Sequence, residues 1–233
     1  MALPVSRREA PTGSRLPVIE LAGPAGAGKS TLSAALVGHL HAARGSIWGL
    51  PVFPLLANGA QLTPTFTGLW LHSRSPLWDE TRHMVRLRTL RRTLTRAARY
   101  RNGALIFDEG PVFAMAWLRG FGQDTMRQDP CTEWWSTTLR QWASILDVVV
   151  VLDAPDQLLA ARIRARNSPH QVKGFPDPEI ARWMARFRQA LDWVLAGMAV
   201  HGGPMVVRLS SREPAELMAE RLAHDLSRSF HAR

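Results

Sequence analysis

The sequence predicts an α/β protein, with a parallel sheet between helices on both of its faces. Five short apolar runs alternate along the chain with segments of helical periodicity. The runs are rich in Val, Ile and Leu and do not alternate with polar residues, which is typical of strands buried on both faces. Strands that take turns with helices in this way favour a layered α/β architecture over an all-helical or all-strand one.

The predicted elements cover most of the chain in a regular order. The strands are predicted at 17–22, 46–53, 104–108, 147–153 and 204–209. The helices are predicted at 29–43, 79–101, 131–145, 155–166, 178–200 and 213–228. No linker or internal repeat divides this pattern, so we expect one domain over residues 17–233, preceded by a mobile basic segment at residues 1–16.

Composition limits the partners of the protein. The formal net charge is +10, and all of its basic residues except Lys29 and Lys173 are arginines. These arginines are scattered through helical patterns and no nucleic-acid-binding motif accompanies them, so small phosphorylated ligands explain the excess better than nucleic acid does. The sequence contains no run of about 18 apolar residues, so it predicts no membrane-spanning helix. The single cysteine, Cys131, fits a reducing compartment, and we expect a cytoplasmic protein.

The glycine-rich segment after the first strand carries the strongest chemical signal. Residues 23–30 read GPAGAGKS and match G-x-x-x-x-G-K-[ST], with a strand before the motif and a helix after it. Such a loop turns its backbone N–H groups toward phosphate oxygens, the lysine neutralises β- and γ-phosphate charge, and the serine hydroxyl ligates Mg²⁺. The predicted phosphate-binding residues are Gly23, Ala25, Gly26, Ala27, Gly28, Lys29, Ser30 and Thr31.

Two acidic residues follow the third predicted strand. Asp108 comes directly after the apolar run and is a candidate Mg²⁺ ligand of the Walker B kind. Glu109 is next to it, and two roles remain open for this side chain. It is either a general base for an acceptor hydroxyl or attacking water, or an ion-pair partner of a nearby arginine.

Three arginines follow the fourth predicted strand, where a helix runs into a loop that contains proline and glycine. These are Arg162, Arg164 and Arg166. Placed after a phosphate-binding loop, they are candidates for a lid, at about residues 162–176, that neutralises transition-state charge and excludes water. We expect Arg162 and Arg166 to act in catalysis and Arg164 to bind the nucleotide.

With these pieces in this order, the chain resembles the P-loop nucleoside and nucleotide kinases, and thymidylate kinase most of all. The resemblance rests on GPAGAGKST, GALIFDEGP, VVVVLDAPDQLLAARIRAR and MVVRLSSREPAEL, which together span residues 17–225. It implies a five-stranded parallel sheet in the order 2-3-1-4-5, with ATP and Mg²⁺ as the donor. Adenine would lie near the turn after the fifth strand. Kinases of this family are often dimers, so the resemblance also implies a homodimer.

The acceptor side departs from both subfamilies. Thymidylate kinases carry Asp-Arg after the third strand, where this chain has Asp108-Glu109. Deoxynucleoside kinases keep a catalytic glutamate after the second strand, where residues 49–59 contain no acid. An acid beside the γ-phosphate suits deprotonation of an alcohol better than it suits binding a second phosphate, because two anions repel each other.

Residues of the acceptor-side region, about 53–101, and of the segment after Glu109 are candidates for the acceptor pocket. His83 shares a helix face with the apolar residues Leu87 and Leu90, and the start of this helix should open into the acceptor cleft. Aromatic residues after Asp108-Glu109 follow at helical spacing and could line that cleft. The candidate acceptor ligands are Arg82, His83, Arg86, Phe113 and Trp117.

The sequence therefore predicts an ATP-dependent kinase that moves the γ-phosphate to a nucleoside or nucleotide. One alternative is the same chemistry on a hydroxyl of a non-nucleotide small molecule, such as a sugar, natural product or antibiotic, with Glu109 as the base. A second alternative is a nucleic-acid-associated regulatory ATPase in which Glu109 positions water.

Overall fold

A computed structural model describes residues 17–73, 77–97, 104–128, 131–167 and 169–231. The strands are β1 (Val18–Ala22), β2 (Ala43–Gly45), β3 (Leu105–Phe107), β4 (Val148–Asp153) and β5 (Met205–Ser210). The longer helices are α1 (Lys29–Leu40), α4 (Trp78–Ala97), α6 (Thr132–Ala143), α8 (Asp177–Ala199) and α9 (Ala215–His231). The shorter ones are α2 (Val52–Gln61), α3 (Thr63–His72), α5 (Pro111–Phe121) and α7 (Asp156–Ala165).

All five strands form one parallel sheet in the order β2-β3-β1-β4-β5, which confirms the predicted fold class and strand order. The central strands β1 and β4 are buried on both faces, as their continuous apolar runs require. Strand β5 lies at an edge and alternates half-buried with exposed residues. The carboxyl ends of β1, β3 and β4 therefore meet at one rim, where ligands bind in open α/β sheets.

Alternate side chains of β1 belong to two separate cores. Ile19 and Leu21 pack with apolar residues of α1, α7 and α9. Val18 and Ala22 pack on the opposite face with residues of α4, α5, α6 and α8. The period of two along a strand thus divides the molecule into two helical layers around the sheet.

The second strand differs from the prediction. Residues 46–53 were expected to form it, but β2 is the polar segment Ala43–Gly45, and residues 46–51 form a loop that leads into α2. Only Ile47 of the predicted strand is fully buried, whereas Val52 and Phe53 are exposed. A short strand at the edge of a sheet needs little apolar character, so hydrophobicity did not locate it.

Three helices were not predicted as elements, namely α2, α3 and α5. Helices α2 and α3 contain Pro54, Gly59, Pro64 and Gly68, which disfavour a helical prediction. The predicted helices occur with ends shifted by a few residues where the structure describes them. The predicted N-terminal segment 1–16 lies outside the described residues, as do parts of the predicted acceptor-side region (74–76 and 98–101) and Ser168 of the lid.

Candidate active site

The loop between β1 and α1 has the backbone geometry that its glycines allow. Gly23, Gly26 and Gly28 have φ values of 137°, 83° and 86°, a region that other residues rarely adopt. A Cβ atom on Gly23 would lie 2.0 Å from the carbonyl oxygen of Leu152, and one on Gly26 would lie 2.8 Å from that of Leu159. Gly23 and Gly26 therefore also allow β4 and α7 to approach the loop closely.

The start of α1 faces this loop without a side-chain cap. Its N-cap residue is Gly28, no side chain of the described residues caps it, and no acidic residue lies in its first turn. Ser30 and Thr31 in that turn are exposed. Free N–H groups at the positive end of a helix dipole form an anion site, as the sequence motif predicts.

Lys29 folds back over the loop. Its Nζ atom donates hydrogen bonds to the carbonyl oxygens of Gly23, at 2.9 Å, and Pro24, at 3.0 Å. Burial lowers the pKa of Lys29 to about 8, although the negative charges of Glu109 and Asp108 act in the opposite direction. The structure thus brings the lysine and the two acids after β3 into one electrostatic environment.

Asp108 and Glu109 lie in the turn between β3 and α5. The Asp108 carboxylate accepts a hydrogen bond of 2.8 Å from the guanidinium of Arg44, so this acid forms an ion pair with the edge strand β2. The backbone carbonyl of Glu109 accepts a hydrogen bond of 2.9 Å from the N–H of Ile47. Asp108, and not Glu109, therefore forms the ion pair with an arginine here. The Glu109 side chain has no arginine partner among the described residues.

The three arginines of the predicted lid have different surroundings. Arg162 donates to the carbonyl oxygen of Gly26 at 3.3 Å, and to the hydroxyl and carbonyl oxygens of Ser211 at 3.0 and 2.8 Å. Arg164 forms an ion pair with Asp177 and a 3.2 Å hydrogen bond to the carbonyl of Phe175. Arg166 is exposed, and its positive charge lowers the pKa of Lys29.

A cleft of about 310 Å³ lies between these elements. Its walls come from the glycine-rich loop, from α7 and from the turn after β5. The residues that line it include Gly26, Ala27, Gly28, Thr31, Arg162, Arg166 and Ser211. A cleft that contains an anion site and two arginines suits a phosphorylated ligand, and the turn after β5 is where the adenine was expected.

The candidate acceptor residues on α4 form a second cluster. The His83 ring is buried, stacks on Trp117 at 4.3 Å and meets Trp48 edge-on at 5.4 Å. Its Nδ1 atom lies 2.7 Å from the carbonyl oxygen of Asp79, which can only accept, so Nδ1 carries the proton. The guanidinium groups of Arg82 and Arg86 lie over Trp48 at 5.2 and 4.8 Å from its ring centre.

The Nε2 atom of His83 is buried and has no hydrogen-bond partner among the described residues. Burial lowers the pKa of His83, and the positive charges of Arg86 and Arg82 act in the same direction. The histidine is therefore a neutral ring with one unused acceptor nitrogen. A buried polar atom without a partner is rare in folded proteins and often marks a functional position.

Aromatic rings continue this cluster toward the predicted lid, residues 162–176. Trp117 lies 6.5 Å from Phe121, which stacks on Trp183 at 4.8 Å, and Trp183 meets the lid residue His170 at 5.5 Å. Phe113 is half-buried and lies 6.1 Å from Phe187. A cavity of about 480 Å³ opens along these rings. Its aromatic lining consists of Trp78, Trp117, Phe121, Phe175 and Trp183.

Sequence reasoning missed Glu20, which lies in the middle of β1. Its side chain is fully buried and accepts hydrogen bonds from the N–H groups of Val112 and Phe113, at 2.8 Å each. Burial raises the pKa of Glu20 to about 8, whereas these hydrogen bonds and the charge of Lys29 favour the ionised form. The sequence does mark Glu20 as unusual, because a glutamate inside the apolar run VIELA is not expected in a buried strand.

No group of three or more His, Cys, Asp or Glu side chains among the described residues could hold a metal ion. None of the helices in the described part of the chain is long and apolar enough to cross a membrane.

Solved structures with the same fold are known. Thymidylate kinase from Candida albicans aligns with a TM-score of 0.60 at 15% identity, over 95% of this chain and 96% of that one. Deoxyadenosine kinase from M. mycoides with bound dCTP aligns with a TM-score of 0.55 at 14% identity, over 90% of this chain and 98% of that one. No protein-family model matches the sequence, and no curated protein matches it.

A third structure of this fold is the YorR protein from Bacillus subtilis, solved in complex with phosphorylated GDP. It aligns with a TM-score of 0.53 at 14% identity, over 92% of this chain and 98% of that one. The chain therefore has the fold of the P-loop nucleoside and nucleotide kinases over nearly its whole length.

Proposed function

We propose that the protein is an ATP-dependent kinase that transfers the γ-phosphate to a nucleoside or nucleotide. The observation that carries the proposal is the glycine-rich loop, which combines three positive φ values, an uncapped helix start and a lysine whose charge interacts with those of Glu109 and Asp108. The kinases that share the fold support the same class of reaction. A turn that only linked a strand to a helix would have no need to fold a half-buried lysine back onto the carbonyl oxygens of the loop.

On the donor side, the backbone N–H groups of residues 23–31 and Lys29 would bind the β- and γ-phosphates. The Lys29 ammonium would exchange its bonds to Gly23 and Pro24 for phosphate oxygens, which are stronger acceptors. The Ser30 hydroxyl and the Asp108 carboxylate are oxygen ligands of the kind that Mg²⁺ takes, and they are the residues that would hold the ion. Asp108 would then share its carboxylate between the ion and Arg44. Mg²⁺ held by these residues would supply positive charge against the negative charge that develops during phosphoryl transfer.

On the lid, the proposal divides the work between the arginines. Arg162 is held by Gly26 and Ser211 and would fix the distance between the loop and the turn after β5. Arg166 has no acceptor for its guanidinium among the described residues, and we assign it to the γ-phosphate oxygens during transfer. Arg164 would reach the nucleotide only after its ion pair with Asp177 opens.

On the acceptor side, Glu109 would take the proton from the attacking oxygen. Its charge acts on Lys29, so it lies near the group that holds the γ-phosphate. Arg82, Arg86 and the free Nε2 of His83 would orient the acceptor, and Phe113 and Trp117 would line the pocket. Two guanidinium groups over one indole also suit an acceptor with an anionic group. A nucleotide would attack through a phosphate oxygen that is already deprotonated, so the base role of Glu109 applies to a hydroxyl acceptor.

A second candidate function is phosphorylation of a hydroxyl on a non-nucleotide small molecule. The Asp108-Glu109 pair favours it, because an acid beside the γ-phosphate suits deprotonation of an alcohol. The aromatic cavity of about 480 Å³ could hold a flat or apolar compound other than a nucleobase. A nucleic-acid-associated ATPase is the remaining alternative, and it predicts hydrolysis that RNA or DNA stimulates and that salt suppresses.

An acceptor screen by coupled ADP release separates the three functions. We expect little ADP from ATP and Mg²⁺ alone, and rapid release when a nucleoside or nucleoside monophosphate is added. Release with sugars or antibiotics only would favour the second candidate. Release that depends on RNA or DNA, with no small molecule active, would contradict the kinase proposal.

A further inference from the structure

Glu20 has no part in the proposed chemistry, yet its position is unusual. It lies in the middle of the central strand β1, paired in register with Phe107 of β3 and Val149 of β4, and is fully buried. A carboxyl group in such a place costs free energy, because it leaves water for an apolar core. Such a group is therefore expected to perform a task that an apolar side chain could not.

The contacts of Glu20 show what that task is. Its Oε2 atom accepts the N–H of Val112 and its Oε1 atom accepts the N–H of Phe113, both at 2.8 Å and across more than ninety residues of sequence. These N–H groups belong to the first turn of α5, whose own N-cap residue, Gly110, offers no side chain. Glu20 therefore caps a helix that has no local cap, and it does so from the strand beneath.

The turn that carries the two candidate acids passes directly over this carboxyl group. A Cβ atom on Gly110 would lie 2.8 Å from Cδ of Glu20 and 2.8 Å from Cβ of Phe107. Asp108 and Glu109 immediately precede Gly110, and Ile47 holds the Glu109 carbonyl from the other side. The position of this turn is thus set by β3 on one side and by the Glu20-bound start of α5 on the other.

We propose that Glu20 is a positioning residue, which holds the start of α5 so that Asp108 and Glu109 keep their place opposite Lys29. That Glu20 holds the start of α5 follows from its hydrogen bonds alone. That this affects turnover rests on the proposed function. Displacement of a catalytic group by about 1 Å can lower a rate about 100-fold, so a residue that touches no substrate can control turnover.

Two variants test the proposal. Both carboxyl oxygens of Glu20 keep lone pairs for the two N–H groups whether or not the group holds a proton. Glu20→Gln keeps one acceptor oxygen but places an NH₂ group, which cannot accept, opposite the second N–H, whereas Glu20→Met keeps the volume and removes both acceptors. We expect kcat to fall about 10- to 100-fold in both, with KM for ATP changed less than about 3-fold, because the phosphate loop is untouched. The matched control is Leu118→Ala, a fully buried position on α5 away from the turn. It should lower the melting temperature and leave kcat unchanged well below that temperature.

Unchanged kcat in both Glu20 variants, or an equal loss in Leu118→Ala, would overturn the inference. Hydrogen exchange gives a readout that does not need an acceptor. The amides of Val112 and Phe113 should exchange faster in Glu20→Met than in wild type, while amides in the middle of α5 should not. Unaltered exchange at both amides would also overturn it. If the proposed function is wrong, wild type itself transfers no phosphate to any acceptor, but the amides of Val112 and Phe113 still exchange faster in Glu20→Met. The two failures are therefore distinguishable.

Discussion

At the scale of single residues, Lys29 is the side chain on which the proposed function depends most. Replacement by alanine removes the charge that the proposed mechanism places on the β- and γ-phosphates. We expect Lys29→Ala to lower kcat by about 100-fold or more and to keep the circular dichroism spectrum of wild type. Coupled ADP release with the best acceptor measures the rate. Wild-type turnover in this variant would contradict the phosphate-binding role of the loop.

The pH dependence of activity should also report Lys29. Burial lowers its pKa to about 8, so the free protein carries the ammonium charge below that pH and loses it above. Because only the charged form attracts phosphate oxygens, kcat/KM for ATP should fall as the pH rises through about 8. Lys29→Arg keeps its charge over this range and should lose the alkaline limb. If kcat/KM for ATP still falls above about pH 8 in Lys29→Arg, a group other than Lys29 causes the pH dependence.

Glu109 is the residue for which the sequence left two roles open. If Glu109 is the base, Glu109→Gln should lower kcat about 100-fold or more. The Kd for ATP should stay within about 3-fold of the wild-type value. Single-turnover transfer and equilibrium binding of ATP measure the two effects separately. Equal losses in rate and affinity would instead mean that Glu109 acts through its charge on Lys29.

At the scale of elements, the glycines of the loop and of α1 allow a matched comparison. Gly23→Ala places a Cβ atom 2.0 Å from the carbonyl of Leu152, and we expect it to destabilise the fold by about 2 kcal/mol or more. Gly38 lies inside α1 with open space around its Cβ position, so Gly38→Ala should stabilise by about 0.5–1 kcal/mol. Urea unfolding measures both. Equal effects would contradict the close approach of β4 to the loop.

The elements also show which parts of the site the sequence could predict. The loop, Lys29 and Asp108 follow from local spacing, because a strand, a glycine motif and a helix need no distant partner to be identified. Strand β2 could not be found by hydrophobicity, since Ala43–Gly45 is a polar edge strand that pairs its Arg44 with Asp108. The cap of α5 could not be found either, because Glu20 lies on another element and only the tertiary fold brings it to Val112.

At the scale of the whole molecule, Glu20 links stability to pH. Burial raises its pKa from 4.5 to about 8, so between these values the folded protein holds a proton that the unfolded chain has released. The free energy of unfolding should therefore fall as the pH rises from about 4.5 to 8, by up to about 1.4 kcal/mol per pH unit. Glu20→Gln removes the titration. Urea unfolding of wild type and variant at pH 5, 6.5 and 8 isolates this contribution, and an identical pH dependence would contradict it.

The strand order of the molecule was predictable because it came with a resemblance, whereas its acceptor was not. The 2-3-1-4-5 sheet is common to kinases that act on different acceptors, as the thymidylate and deoxyadenosine kinases of this fold illustrate. In the proposed function, specificity depends on side chains such as Arg82, His83 and Trp48, which α4 and the loop after β2 bring together. Their meeting depends on tertiary packing, and no local pattern encodes it.

The row of rings from Trp48 through His83, Trp117, Phe121 and Trp183 to His170 gives the protein an optical property of its own. The wavelength and intensity of indole fluorescence change with the polarity of the surroundings, and the row contains three indoles, those of Trp48, Trp117 and Trp183. A compound that enters between them, or a lid that moves His170 away from Trp183, would alter the fluorescence of the unlabelled protein. Candidate ligands can therefore be ranked by their titration curves before any product has been detected.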